Sequence, residues 1–285
     1  MSSNLSAAKA FSENSFSLLI DQLPFVPDAE ENEILETGLL DNGESYAVMR
    51  MGPEHLQAVY DLLEAEYKNP VNSGKAYLLR RSQRDIEKML AKKDPVLGVV
   101  SHNRLLAVGA IAPIADKGDI AGHGRGKVYA ANDCPPSSQL YFKMAVVHPA
   151  LQKSGLHPMT YLYPWRLAHA LAYYEDRTCF LTKSNNPAVI SAYTKVNEKT
   201  KDGLRWRVVD ESEVDDETLL TMKLSRDEGL SWLLKHRPDI YTKYGLSAAG
   251  QVRQQAKQMT QPVVKEAANE NIPSIATKEN SCTPA

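Results

Sequence analysis

Val146-Val147-His148-Pro149-Ala150-Leu151-Gln152-Lys153-Ser154-Gly155-Leu156-His157-Pro158 reads as a strand running into a turn and then into a helix. The two valines end an apolar run, Gly155 and Ser154 mark the turn, and Pro158 suits a first helical turn. A junction of this kind directs unpaired backbone N–H groups and the positive end of a helix dipole at one spot. A phosphate or pyrophosphate is its natural occupant. Gly155 lets the backbone approach an anion closely, and Lys153 adds a point charge. An ordinary strand–helix connection has the same outline, so the turn alone does not decide between the two.

The flanking sequence supplies the frame. Leu140–Val147 reads as a two-faced strand, with Leu140, Phe142, Met144 and Val146 set against Tyr141, Lys143, Ala145 and Val147. Upstream, Tyr46–Met51 is a short apolar run, and Gly52-Pro53 opens a helix with Leu56, Val59, Tyr60, Leu63 and Tyr67 on one stripe. Ser82 with Asp85 forms a capping pattern for a second helix, whose inner face is Ile86, Met89 and Leu90. Val96–Ser101 and Leu105–Ile111 form a hairpin about His102-Asn103-Arg104. Residues 115–139 are polar and glycine-rich, longer than most connections within a domain. The stretch Gly122-His123-Gly124-Arg125-Gly126-Lys127 follows no clear strand and opens no helix, so it reads as a surface loop.

Downstream, a helix is expected over about 158–174, kinked or broken at Pro164. Thr178–Thr182 is a buried strand, and Leu204–Val209 with Leu219–Leu224 form a closing hairpin. The order β-α-α-β-β-β-α-β-α-β-β describes an α/β (α+β) domain with a mixed sheet. Between its last strands lies Ser184-Asn185-Asn186-Pro187-Ala188-Val189-Ile190-Ser191-Ala192-Tyr193-Thr194-Lys195-Val196. Asn186 caps a helix that Pro187 enters. Val189, Tyr193 and Val196 share one face of it, which by itself marks Tyr193 as a core residue.

Both segments resemble signatures of the GNAT superfamily of acetyl-CoA-dependent N-acyltransferases. Val147-His148-Pro149 followed by Gln152-Lys153-Ser154-Gly155-Leu156-His157 is similar to the family's strand ending in Val-x-Pro and then Gln/Arg-x-x-Gly-x-Gly/Ala. Asn186 to Lys195 is similar to Asn-x-x-Ala/Val-x-x-x-Tyr-x-Lys. The resemblance covers about residues 46–225 and implies a mixed, mostly antiparallel sheet flanked by helices. It implies Ala145, Val146 and Val147 along the pantetheine arm of coenzyme A, and Gln152, Lys153, Ser154, Gly155, Leu156 and His157 around its pyrophosphate. It also implies Asn186 near pantetheine and Tyr193 as the acid that protonates the departing thiolate. The chain departs from the pattern at His157, where the family has a small residue, at Pro164, and at Val196-Asn197 in place of Gly-Phe.

The acyl acceptor implied is an amine, which arrives protonated at a pKa of ~10.4 and must lose a proton. Glu66, Tyr67, Asp133, Tyr141 and His148 are the candidates for taking it, with water as another route. Acetyl is the default acyl group by family frequency. A non-catalytic acyl-CoA-binding or regulatory protein on the same fold is the alternative, and a structural protein without coenzyme a third.

Composition narrows the rest. Hydrophobic residues make up 43% of the 285, enough for a sizeable core, and 33 basic against 35 acidic residues give no electrostatic reason for a nucleic-acid or acidic-membrane partner. No apolar run approaches the ~20 residues that cross a bilayer. Met1 to Ala10 lacks the apolar core of a secretory signal. Cys134, Cys179 and Cys282 form no metal spacing and read as reduced thiols, so no metal and a soluble, cytoplasmic protein are expected. The expected layout is a partly disordered extension over 1–44, the acyltransferase-like domain over 45–225, a helical segment over 226–251 and a disordered tail over 252–285. Leu230, Trp232, Leu233, Leu234, Ile240, Tyr241 and Tyr244 are expected to pack back on the domain or on a second subunit, which leaves a homodimer open.

Overall fold

The computed structural model describes residues 13–27, 34–69, 81–92, 95–113, 135–152, 154–184, 186–187, 189–190, 193, 204, 206–214 and 217–246. The chain divides into two compact units, Met1–Ser247 and Ala248–Ala285, and the second lies outside the described residues. So do the loop Gly122–Lys127, Cys134 and Cys282.

Among the described residues are eight strands: β1 Ile34–Leu39, β2 Ser45–Arg50, β3 Val96–Ser101, β4 Arg104–Pro113, β5 Gln139–Val147, β6 Cys179–Ser184, β7 Arg207–Val214 and β8 Glu217–Ser225. They form one sheet in the order β1-β2-β3-β4-β5-β6-β8-β7. Every neighbouring pair is antiparallel except β5 with β6. The helices are α1 Glu13–Ile20, α2 Leu56–Tyr67, α3 Gln83–Leu90, α4 Pro158–Tyr173, α5 Arg226–His236 and α6 Pro238–Lys243. This is the mixed, mostly antiparallel sheet flanked by helices that the GNAT resemblance implies.

Two apolar clusters cover the two faces. On one, Val59, Leu62 and Leu63 of α2 and Ile86, Met89 and Leu90 of α3 pack on Val96, Leu105 and Val108. On the other, Leu162, Trp165, Leu167 and Leu171 of α4 meet Leu97, Leu106 and Phe142, with Phe16 of α1, Leu233 of α5 and Ile240 of α6. The C-terminal helices therefore pack back on the domain. Local signals act as the sequence suggests at α3, where the Ser82 hydroxyl accepts the Asp85 N–H at 3.2 Å. At the β3–β4 turn, His102 and Asn103 both have positive φ, the geometry of a two-residue type I′ hairpin.

Three expectations change. Residues before 45 are not merely an extension: β1 pairs with β2 from Ile34↔Met49 to Leu39↔Ser45, so a boundary at 45 would cut a hairpin. Phe16, Leu23 and Val26 are buried, and Val26 N–H donates to the Asn103 carbonyl while Leu105 N–H donates to Pro24. Isolated apolar residues in a short helix and a strap carry these contacts, so no periodicity announces them. The helix α4 runs unbroken through Pro164. The forfeited bond is the one to the carbonyl of Thr160, an exposed residue that water can serve.

The third change concerns β5. Its register with β4 passes from Val108↔Val146 to Ala110↔Lys143, so Met144 and Ala145 stand opposite Gly109 alone. Met144 takes φ +57 at this bulge, a left-handed conformation that costs an L-residue roughly 1–2 kcal/mol. The extra residue swaps the faces of the strand. Leu140 and Phe142 join the α4 side, whereas Met144 and Val146 join the α2 side. The single apolar face read from simple alternation does not exist.

Two outcomes follow from this packing. Deleting residues 1–40 removes β1 and the buried side chains of Phe16, Leu23, Val26 and Leu40, each worth about 1.5–3 kcal/mol, so the truncated chain should lose its cooperative melt in calorimetry. His169, buried on α4, stacks on Tyr173 at 4.2 Å and meets Tyr244 edge-on. Burial, with Arg50 adding to it, lowers its pKa to about 3. The unfolded chain takes up this proton near pH 6.5 and the folded chain does not. Stability should therefore fall as pH drops from about 6.5 toward 3, by up to a few kcal/mol. Urea midpoints of His169→Phe should show a flatter dependence over that window than those of the parent.

Candidate functional site

The site begins where the sheet opens. Only Gln139–Tyr141 pair with Cys179–Leu181 across the parallel β5–β6 contact. Next along β5, the Phe142 carbonyl accepts the Thr182 hydroxyl at 2.9 Å. Beyond that point β6 continues along β8, from Thr182↔Met222 to Ser184↔Leu220, and β5 continues along β4 to Ala107↔Val147. The ladder between them has ended, so among the described residues no strand pairs with the β6-facing edge of β5 from Met144 to Val147. A free edge of this kind can pair with a peptide-like ligand. The expected pantetheine residues lie along it: Val146 is buried, Ala145 and Val147 half-buried.

The edge runs into the turn after Val147. His148 Nδ1 accepts the Ala150 N–H at 3.3 Å, and burial lowers its pKa. It helps to build the turn and is a poor proton acceptor for an amine. The Ser154 hydroxyl donates to the Leu151 carbonyl at 2.7 Å and accepts the Leu156 N–H at 3.2 Å. These bonds hold Gly155 at φ +85 with nothing within 4 Å of where a Cβ would stand. Leu156 is buried and anchors the loop, while His157 is exposed at the N-cap of α4 and gives that helix no side-chain cap. The first-turn N–H groups of α4 thus meet an open, glycine-lined corner, which suits an anion. Lys153 lies outside the described residues.

The Gln152 side chain is engaged within the protein. Its side-chain N–H donates to Glu66 Oε2 at 2.8 Å, and its carbonyl accepts from Asn69 Nδ2 at 3.1 Å. Glu66, at the end of α2, and Asn69 just after it are buried. Glu66 therefore serves as a tether between α2 and the turn after β5. Of the other proton-acceptor candidates, the Tyr67 hydroxyl accepts the Arg81 N–H at 2.9 Å, Tyr141 is half-buried on β5, and Asp133 lies outside the described residues.

After β6, the Ser184 hydroxyl accepts the Asn186 N–H at 3.0 Å, and the Asn186 carbonyl accepts the Ile190 N–H at 2.9 Å. Asn186 thus starts a helical stretch whose described residues are Pro187, Val189, Ile190 and Tyr193. The half-buried Tyr193 ring stands edge-on to Trp206 at 5.1 Å and to Tyr163 at 6.2 Å. Trp206 Nε1 donates to the Tyr163 hydroxyl, and burial raises the Tyr163 pKa well above the ordinary value, so that phenol stays protonated.

Three residues at the site were not singled out from sequence: Thr182, Asn69 and Arg166. Arg166 carried a signal, a lone cation in the apolar run Leu162–Leu171. The other two carried none, because ordinary polar residues gain their roles only through the pairing of distant segments. Among the described residues, no group of three or more His, Cys, Asp or Glu side chains is gathered to hold a metal ion, and no helix is long and apolar enough to cross a membrane.

No family model matches the sequence, and no curated protein is significantly similar to it. Similar solved structures include the GNAT domain of S. lividans PAT, at 14% identity over 70% of this chain and 99% of that one, with a TM-score of 0.43. The N-acetyltransferase of Staphylococcus aureus Mu50 is similar at 10% identity, 64% and 98% coverage and a TM-score of 0.43. The yncA protein of Salmonella typhimurium, solved with acetyl-CoA, gives 14%, 64% and 94%, and 0.44. At these values the likenesses decide nothing about chemistry, and the mixed, mostly antiparallel fold is described by the chain's own strand order.

Proposed function

We propose that the chain is an acyl-CoA-dependent N-acyltransferase of the GNAT type, moving an acetyl or other acyl group directly from coenzyme A to an amine of a small molecule or protein. One observation carries the reading: the free edge of β5 leads from the strand parting straight to the Gly155 corner at the N-terminus of α4. A ligand with peptide-like amides at one end and a pyrophosphate at the other matches that sequence of surfaces. The proposed contacts are Ala145, Val146 and Val147 with pantetheine, Ser154, Gly155, Leu156 and His157 with pyrophosphate, and Asn186 with the pantetheine arm. Lys153 adds charge from the same loop, and Gln152 holds the loop in place through Glu66. No metal takes part in this reading, and the protein is taken to act in the cytoplasm.

In the transfer, the neutral amine attacks the thioester carbonyl. The new C–N bond forms, the oxygen takes up negative charge, and main-chain N–H groups of β5 stabilise it. As the oxyanion collapses the C–S bond breaks, and the thiolate leaves with the electron pair. Tyr193 gives that sulfur its proton, while the amine's proton passes to water. Holding both reactants in one cleft makes the step effectively unimolecular.

Substitutions at two positions test the assignment. Gly155→Glu adds a side chain and a like charge at the anion corner, whereas Gly155→Asn adds a side chain that tolerates positive φ. Calorimetry should show coenzyme A binding at least tenfold weaker for Glu and within a few-fold of the parent for Asn. Equal binding by all three proteins removes the loop as the pyrophosphate site. Tyr193→Phe keeps the ring between Trp206 and Tyr163 and deletes only the hydroxyl. Turnover, followed as free thiol with acetyl-CoA and a panel of amines, should fall by ~10²-fold or more, with coenzyme affinity and melting temperature little changed. Parental turnover would remove Tyr193 as the acid. A parent that binds coenzyme A but turns over none of the acyl-CoA and amine pairs would favour the non-catalytic binder instead.

A further inference from the structure

Arg166 sits in the middle of α4 and is 1% exposed. Among the described residues no carboxylate pairs with it, and its Nε and Nη1 have no partner. Its Nη2 donates to the Ala110 carbonyl at 2.7 Å and to the Lys143 carbonyl at 3.1 Å. Those residues face each other across β4 and β5 at one end of the bulge. The guanidinium carbon lies 5.0 Å from the centroid of the Phe142 ring. Opposite the bulge, a Cβ on Gly109 would come within 2.8 Å of Arg166 Nε. The sheet is thus bare of a side chain where the cation lies against it.

Burying a guanidinium without a counter-charge is unfavourable, and well-packed apolar residues often replace buried charges without loss of stability. The bulge is unfavourable too, through Met144 in the left-handed region. Both departures coincide on the one strand whose edge faces the cleft. Strain and unsatisfied buried groups that persist together point to a role beyond folding. A carbonyl that accepts a charge-assisted hydrogen bond polarises its own peptide group. The peptide whose carbonyl belongs to Lys143 carries the N–H of Met144, the strained residue of the bulge.

We propose that Arg166 is a positioning residue of the acyl-transfer centre: it clamps the β5 bulge and polarises the Lys143–Met144 peptide, so that the main-chain donors there are fixed and strengthened toward the charge on the thioester oxygen. The catalytic half rests on the acyltransferase reading; the clamp does not. Lysine cannot replace Arg166 fully, because its head is a compact point charge without the planar fork.

The full-length chain and its Arg166→Met and Arg166→Lys variants test this through amide hydrogen exchange, coenzyme A affinity, and kcat and KM with acetyl-CoA and an accepted amine. Arg166→Met should fold cooperatively, with exchange across Lys143–Val146 at least tenfold faster than in the parent and the rest of the sheet unchanged. Its kcat should fall at least tenfold, with KM and coenzyme affinity within about threefold, and Arg166→Lys should recover part of the loss. A parental kcat in Arg166→Met overturns the proposal, as does a loss that tracks a lower melting temperature and is not eased by lysine. Should the parent itself turn over no amine, the acyltransferase reading falls and exchange alone decides the clamp: faster exchange confined to 143–146 upholds it, parental protection overturns it. Should Arg166→Met fail to fold, Arg166→Lys decides, because parental exchange and kcat with no cationic fork overturn the clamp.

Discussion

The parallel contact between β5 and β6 stops after three residue pairs, and the rest of the site depends on that short ladder. Had it continued, the groups of Met144 to Val147 that point away from β4 would be spent on β6 and no edge would be left for a ligand. The stop has a visible cause. The Thr182 hydroxyl takes the Phe142 carbonyl at 2.9 Å, so the last sheet-like bond across the gap comes from a side chain. β6 is meanwhile held by β8 along its whole length, from Cys179↔Ser225 to Ser184↔Leu220, and cannot follow β5. An antiparallel neighbour on each outer side and a hydroxyl at the apex hold the two strands apart.

A wedge is useful only if the helix that begins at its mouth stays put. The α4 helix is fixed from its far side by the segments that flank the domain in sequence. Glu36 of β1 accepts hydrogen bonds from Tyr46 and Trp165 and pairs with Arg237 at 3.1 Å, and Arg237 also grips Asp239 at 2.7 Å. Lys243 of α6 donates to the Leu35 carbonyl and lies over the Trp165 ring at 5.0 Å. Three distant stretches of chain thus converge on one face of α4. Burial, followed by the hydrogen bond to Glu36, raises the Tyr46 pKa, so that donor stays protonated at physiological pH. The N-terminal strand and the C-terminal helices are in this sense parts of the frame that holds α4.

Much of this was legible in the sequence where the signal is local. The α3 cap, the β3–β4 turn, the start of the helix at Asn186 and the Gly155 turn each follow from the backbone preferences of a few adjacent residues. The succession of elements from β2 onward follows from the same local signals. What was not legible depends on pairing across the fold. Simple alternation assigned Leu140, Phe142, Met144 and Val146 to one face, and one extra residue opposite Gly109 split them between two. The strap before β1 was missed because Phe16, Leu23 and Val26 are too sparse to make a period. The continuity of α4 through Pro164 depends on an exposed turn that sequence does not mark.

The reassignment of Glu66 has a consequence for how the two halves of the cleft communicate. A carboxylate at the end of α2 looks free to accept an amine's proton, but here it is buried and receives hydrogen bonds from Gln152 and Asn69. A carboxylate held by two amides in a buried place loses freedom, which favours a fixed tether over a mobile base. Gln152 is also the residue at which the turn after β5 leaves its short helical bend, with its N–H on the Pro149 carbonyl. Any displacement of the α2 end is therefore passed to the loop that presents Gly155, through side chains whose every bond is buried or half-buried. Since α2 lines the opposite face of β5 from α4, this tether is the direct physical link between the two faces of the sheet at the mouth of the wedge.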